Sequence, residues 1–409
     1  MSTVLYLSYD GMTDPLGRSQ VLPYLIGLTK LGLKFHLVIF EKHEAFAKHA
    51  ETVRTITQTN GIQWHPLTYT RKPPVISTIW DKSRMERMAS KIIQEHNVQA
   101  VHCRSYISGL VGMKQQKRFG TRFVFDIRGF WADERVEGGL WNLENPIYNT
   151  VYKYFKNQEK RMFAAADVIV SLTARGANII QSDFNISKSK IHIIPCCADL
   201  EHFDHRNLNS DSIDELKIRA GIKNHQPVLG YLGAIGTWYM LDEMLEFYKR
   251  LLVRYPNAYF LLVTTEHQET ILKAAENKGV PSSKIGVLSA TREEVPAAIS
   301  LFDVSVFFIR PTYSKSASSP TKQGELMGMG KPIICNAGIG DTDEVIRQYH
   351  CGDVIDLDDE LSMDKAVAAF EQTKNLPKDQ IRKGAEDFYS LQKGIEKYAS
   401  IYRKLGLLN

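Results

Sequence analysis

The chain has 409 residues, 44% hydrophobic and 24% charged, a globular composition that excludes a disordered or fibrous protein, and its length implies two domains of roughly 200 residues. Its net charge of +5 is unevenly spread: residues 1–199 carry 26 Lys+Arg against 17 Asp+Glu, a net +9, and the remainder 25 against 29, a net −4. Five cysteines, Cys196 and Cys197 adjacent, fit neither a disulfide framework nor zinc spacing and are expected as buried free thiols.

Val4 to Tyr9 is predicted as the first strand; it starts too near Met1 for a leader, and no apolar run approaches the roughly eighteen residues of a spanning helix, so a cytosolic protein is expected. A turn-rich segment follows to Gly17, and Val21, Leu22, Leu25, Leu28 and Leu31 give Ser19 to Leu31 helical spacing. Gly17 either lets backbone approach a ligand or serves the turn. Phe35 to Phe40, Gly61 to Leu67 and Ala100 to Cys103 are predicted strands, and Ser83 to His96 a helix. His102 ends the fourth strand as a cleft residue or a histidine hydrogen-bonded within the sheet.

Arg122 to Asp126 is the next strand, running into FDIRGFWADERVEGGLW, a loop dense in charge and aromatics. Asp126, Arg128, Asp133, Glu134 and Arg135 are candidates for acceptor binding or chemistry, the alternative being a salt-bridge cluster that holds the loop. A helix from Pro146 to Ala166, a strand from Asp167 to Leu172, a further helix and a strand from Lys190 to Pro195 complete the first domain. Strands alternating with helices imply a parallel sheet with ligands at the carboxyl ends of its strands.

The polar segment after Pro195 is expected as a linker. The pattern then repeats: strand Val228 to Leu232 with Gly233 and Gly236, helix Met240 to Tyr255, strand Tyr259 to Thr264, helix Gln268 to Lys278, strand Lys284 to Leu288 and helix Glu293 to Ser300. Ser305 to Asn336 carries the densest signal. Strands at Ser305 to Ile309 and Pro332 to Cys335 flank a short helix, Pro320 to Met329, with Ser319 as N-cap, Pro320 at its first position and Gly330 as its stop. The helix start, with Arg310, Lys315 and Lys322, suits a diphosphate, and Glu325, one turn after Lys322, suits a ribose diol. The alternative is a solvated cationic rim beside a surface glutamate. From Pro377 the chain is helical, and the stripe Ile395, Tyr398, Ile401, Tyr402, Leu405 needs an apolar surface to cover.

Four stretches resemble the retaining glycosyltransferases of family four: RMFAAADVIVSLT from Arg161, Lys190 to Asp199 with its Pro-x-x-x-Asp ending, Gly233-x-x-Gly236, and above all Gly324-Glu325-Leu326-Met327-Gly328-Met329-Gly330-Lys331-Pro332. The resemblance implies an α/β GT-B fold, two Rossmann-like domains whose parallel sheets face a central cleft. Residues 1–200 would bind the acceptor, 201–385 the nucleotide sugar, and 386–409 would return as a helix to the first domain. It implies a metal- and cofactor-independent hexosyltransferase, with Ser318, Ser319, Thr321 and Lys322 at the diphosphate and Glu325 at the ribose. Ala317 stands where the family often has a second glutamate, and Gly233 lacks the Arg and Lys that usually follow it, so Arg310, Lys315 and Lys322 are expected to compensate. No first-domain histidine is plain, and Asp126 is expected in that role, with Arg128 and His102 beside it.

The expected partners are a nucleotide-sugar donor and an acidic or lipid-linked sugar acceptor, with an anionic membrane surface facing the basic first half. Nucleic acid is not expected, because no basic run is interleaved with aromatics. The alternatives are a nucleotide-sugar epimerase on the same fold and a nucleotide-sugar-binding protein without catalysis.

Overall fold

The computed structural model describes residues 1–223 and 226–409. The chain forms two compact units, Met1–Pro195 with Leu391–Asn409, and Cys196–Ser390. The sequence placed the divisions at 200 and 385.

In the first unit, strands β1 (Thr3–Ser8), β2 (Lys34–Glu41), β3 (Gln63–Thr68), β4 (Val98–Arg104), β5 (Arg122–Asp126), β6 (Val168–Ser171) and β7 (Ile191–Ile193) lie in the order β3-β2-β1-β4-β5-β6-β7. Every neighbouring pair is parallel. Strand β1 is buried along its whole length, which is why it reads as a continuous apolar run. The second unit holds β8 (Val228–Leu232), β9 (Tyr259–Val263), β10 (Ile285–Leu288), β11 (Val304–Phe307), β12 (Ile333–Asn336) and β13 (Gly352–Ile355) in the order β10-β9-β8-β11-β12-β13, again all parallel. The strand order changes direction between β1 and β4 and between β8 and β11. Loops leaving the strands there diverge and open a crevice for ligands.

Three local expectations are corrected. The helix expected from Ser19 to Leu31 is two, Pro15–Gln20 and Leu22–Lys30, because Val21 leaves helical geometry at φ −127° and ψ −62°. The helix expected from Ser83 begins at Ile76 and runs to His96. The polar segment after Pro195 is no loose linker. Cys196, Cys197 and Ala198 are buried, and Arg382, on helix Lys378–Phe388, donates to the carbonyls of Phe203 at 2.9 Å, Gly328 at 2.8 Å and Leu200 at 2.9 Å. It also pairs with Asp204 at 3.2 Å. Hydrogen bonds from Arg206 and the charge of Arg382 pull the Asp204 carboxyl down to about 2.

The last helix, Leu391–Lys404, belongs to the first unit and packs on Leu22–Lys30. Ile395, Tyr398, Ile401 and Tyr402 of the predicted stripe are buried in it. All five cysteines are buried and none forms a disulfide. Among the described residues no helix is long and apolar enough to cross a membrane.

Candidate functional site

In the second unit the candidate residues gather at the carboxyl ends of β8 and β11, the point where the strand order reverses. The helix after β11 is Thr321–Gly328, close to the span expected. Pro320 holds the cap position, and no side chain caps the first turn. Ser319 is corrected here: its hydroxyl accepts from the Cys196 N–H at 3.2 Å. An uncapped first turn presents backbone N–H groups and the positive end of the helix dipole to any anion beside it. Ser318, Ser319 and Thr321 are half-buried around it.

The loop after β8 is zipped along the end of β11. Tyr239 bridges Ile309, Met240 N–H donates to the Phe308 carbonyl at 3.0 Å, and Arg310 N–H donates to the Trp238 carbonyl at 3.0 Å. This seating puts the rings of Trp238 and Tyr239 against the cations. The Lys315 ammonium lies 3.7 Å from the Trp238 ring centroid. That of Lys322 lies 3.6 Å from Tyr239 and 4.2 Å from Tyr231 and donates to the Tyr231 hydroxyl at 3.0 Å. The two lysines are therefore not a solvated rim: both are buried, and burial holds the Lys322 amine well below the usual lysine range, with Glu325 opposing. Arg310 alone of the three expected cations is exposed.

Gly233 turns the chain at φ +111°, a region only glycine enters freely. The Lys322 Nζ sits 3.1 Å from where a Cβ on Gly233 would be. The lysine thus reaches the glycine loop that lacks its own Arg and Lys. Gly236 faces open space and accepts from Tyr239 N–H at 3.2 Å. Glu325 is half-buried, and burial raises its carboxyl while Arg292 and Lys322 oppose the rise. Arg292, Tyr231, Trp238 and Tyr239 were not among the residues expected here, although Trp238-Tyr239, separated from Gly236 by Thr237 alone, was a usable signal. Ala317 is fully buried and puts no carboxylate here.

In the first unit His102 and Asp126 come together at the ends of β4 and β5, next to the reversal between β1 and β4. Both are closed to a substrate in this state, 2% and 1% exposed. The last helix covers them: the Tyr398 hydroxyl donates to Asp126 Oδ2 at 3.0 Å, and the Tyr402 hydroxyl is hydrogen-bonded to His102 Nδ1 at 2.7 Å. His102 Nε2 lies 3.9 Å from Asp126, too far for a hydrogen bond. Burial would raise the Asp126 carboxyl, yet Arg128, His102 and Arg104 hold it below the usual carboxylate range. Arg128 is the more open of the group, its side chain 13% exposed and 3.8 Å from Asp126, on a backbone at φ +58°. Asp133 takes the alternative role, accepting from Tyr152 at 2.8 Å and Lys156 at 2.7 Å. Gly17 lies inside helix Pro15–Gln20, where a Cβ would fall 2.2 Å from the Gly11 carbonyl oxygen, so its small size seats that helix on the loop.

Residues 25–202 match the family described as Glycosyltransferase Family 4, and residues 212–387 match Glycosyl transferases group 1. No curated protein matches the sequence. Among solved structures the chain resembles a glycosyltransferase from Rickettsia africae, with TM-score 0.70 and 15% identity over 99% of this chain and 98% of that one. It resembles sucrose-phosphate synthase from Thermosynechococcus elongatus, with TM-score 0.71 and 13% identity over 99% of each chain. Anabaena HepE in complex with UDP-glucose gives TM-score 0.70 and 12% identity over 99% and 100%. At these identities the likenesses bear on fold, and the fold they share is GT-B.

Proposed function

The chain belongs to the group 1 glycosyltransferases of family 4, and from that premise we propose that it moves a hexosyl unit, with retention, from a nucleotide diphosphate sugar to an acceptor hydroxyl in cell-surface polysaccharide or glycolipid assembly. The observation that carries this reading is the uncapped start of helix Thr321–Gly328, with Lys322 reaching Gly233 and Glu325 one turn on. The departing diphosphate gathers negative charge in the transition state, and fixed cations and a helix terminus aimed at it stabilise that state more than the ground state. Lys322, Lys315 and Arg310 are proposed as those cations, with Ser318, Ser319 and Thr321 at the phosphate oxygens and no metal required. HepE binds UDP-glucose, which supports a uridine or similar nucleotide sugar as donor. Arg128, steadied by the Asp126 carboxylate, is the proposed contact on the acceptor side, with His102 behind it. The acceptor is proposed to be lipid-linked, at the inner face of a membrane, where the basic first half finds a partner.

Glu325→Gln is expected to keep the parent melting temperature and to weaken nucleoside diphosphate binding about tenfold, or ~1.4 kcal/mol. An amide accepts weaker hydrogen bonds from a diol than a carboxylate does. Calorimetric titration measures it, and unaltered affinity would reduce Glu325 to a surface charge. The buried Ala317 favours a second reading, nucleotide-sugar binding without catalysis. Release of free sugar or transfer from a radiolabelled donor decides between them.

A further inference from the structure

One surface of the first unit takes no part in either candidate site. Helix Ile76–His96 begins with side chains that a solvated helix end does not need: Ile76 is 64%, Ile79 60% and Trp80 55% exposed. The spacing i, i+3, i+4 puts all three on one face. Arg71 and Lys72 just before the helix, and Arg87 two turns beyond Trp80, are exposed around it, the Arg87 guanidinium 5.8 Å from the Trp80 ring centroid.

The acids nearby are already engaged. Asp81 is buried, accepting from Tyr9 at 3.1 Å and from the Thr70 N–H at 2.9 Å and hydroxyl at 2.8 Å. Glu86 pairs with Lys82 at 3.5 Å and with Lys114. What faces outward from residues 71–87 is therefore apolar and positive. Alongside runs an open groove lined by Lys82, Lys114, Lys117 and Arg161 with Leu110 and Tyr154, its far wall the helix Pro146–Ala165, whose exposed residues include Lys153, Tyr154, Lys160 and Arg161 and no acid.

We propose that this face, Ile76, Ile79 and Trp80 ringed by Arg71, Lys72 and Arg87, docks the protein on an anionic lipid bilayer. Tryptophan and isoleucine in a basic ring match the headgroup boundary, where an indole sits half in the apolar region and cations meet lipid phosphates. Charge complementarity selects this occupant: a protein surface of the same area would need its own dense acidic patch, whereas an anionic leaflet offers negative charge everywhere. The inference rests on the reading of a membrane-borne acceptor and assigns it a surface.

The test uses the full chain and vesicles of phosphatidylcholine, with and without a one-third share of phosphatidylglycerol. Cosedimentation is expected with the anionic vesicles, weakening as salt is raised, with a blue shift of tryptophan emission that Trp80→Phe removes. Ile79→Ser with Trp80→Ser, and separately Arg71→Glu with Lys72→Glu, are each expected to lower partition by at least about tenfold, and nucleoside diphosphate titration should be unchanged in both. Equal or absent binding to both vesicle types overturns the proposal, as does parent-like partition of both variants. A concentration-dependent dimer abolished by Trp80→Ser also overturns it, assigning the face to a second copy. Loss of nucleotide binding in the parent, with vesicle binding intact, would defeat the proposed function and leave the docking surface standing.

Discussion

Replacement of Lys322 by methionine is expected to leave the fold at least as stable as the parent and to weaken nucleoside diphosphate binding roughly ten- to a hundredfold, the ~1.5–3 kcal/mol of a hydrogen bond to a charged group. The stability half follows from the environment. An amine buried against the rings of Tyr231 and Tyr239 carries a desolvation cost that a thioether of similar length avoids. Because burial holds its folded value well below that of the unfolded chain, the unfolded chain takes up a proton that the folded chain does not. Stability from this group therefore rises with pH until the ordinary lysine value is passed, and falls as pH is lowered through that window. Methionine abolishes this dependence.

The binding half has the opposite sign. A diphosphate beside Nζ favours the ammonium, so binding should draw in a proton, and affinity should fall as pH rises above the free protein's value. Titration in buffers of different ionisation enthalpy reads that uptake directly. It should be present in the parent, absent in Lys322→Met and retained in Arg310→Ala, which removes an exposed cation. Parent-like affinity and proton uptake in the methionine variant would show that Lys322 only fills space.

Arg382→Met is expected to destabilise the second unit by about 3 kcal/mol or more. The guanidinium satisfies three carbonyls and pairs with Asp204, tying the start of this unit, Leu200 to Asp204, to the end of helix Thr321–Gly328. Methionine can fill the volume but leaves those acceptors buried without donors. Trp238 is the tryptophan within Cys196–Ser390, so in a background where Trp64, Trp80, Trp131 and Trp141 are phenylalanine its emission during urea denaturation reports this unit. Arg206→Met, at a side chain 59% exposed, should shift the midpoint far less. A midpoint unmoved by Arg382→Met would mean that water replaces all the lost bonds.

Strands buried on both faces were plain in the sequence: Val228–Leu232 was placed residue for residue, because a compact apolar run bounded by polar residues has few other readings. Crossover helices with mixed surfaces were harder. His43–Thr59 has Val53 and Thr57 as its buried residues, and Ser105–Phe119 hides its helical character behind glycines at 109 and 112. In the candidate site, the position of the short helix was legible because proline, cations and the Gly330 stop lie within one short stretch. What was not legible depends on juxtaposition across the chain: the aromatic rings under the two lysines, the diversion of Ser319 to Cys196, and the tyrosines of the last helix over Asp126 and His102. The stripe carrying Tyr398 and Tyr402 was visible, but not that their hydroxyls would meet a carboxylate and an imidazole some 300 residues earlier. Vicinal Cys196-Cys197 is simply buried, and the structure offers no chemistry for the pair.

The division of the chain also orders events during synthesis. The second unit, Cys196–Ser390, is continuous and can close on itself as soon as it clears the ribosome, whereas the first unit lacks its Leu391–Lys404 helix until the whole of the second has been made. Until then Asp126 and His102 are without their tyrosine cover, with the apolar face of Leu22–Lys30 bare beside them. Residues 1–195 are thus made before the second unit but completed after it, and for that interval the nascent chain offers chaperones a sticky, half-roofed sheet.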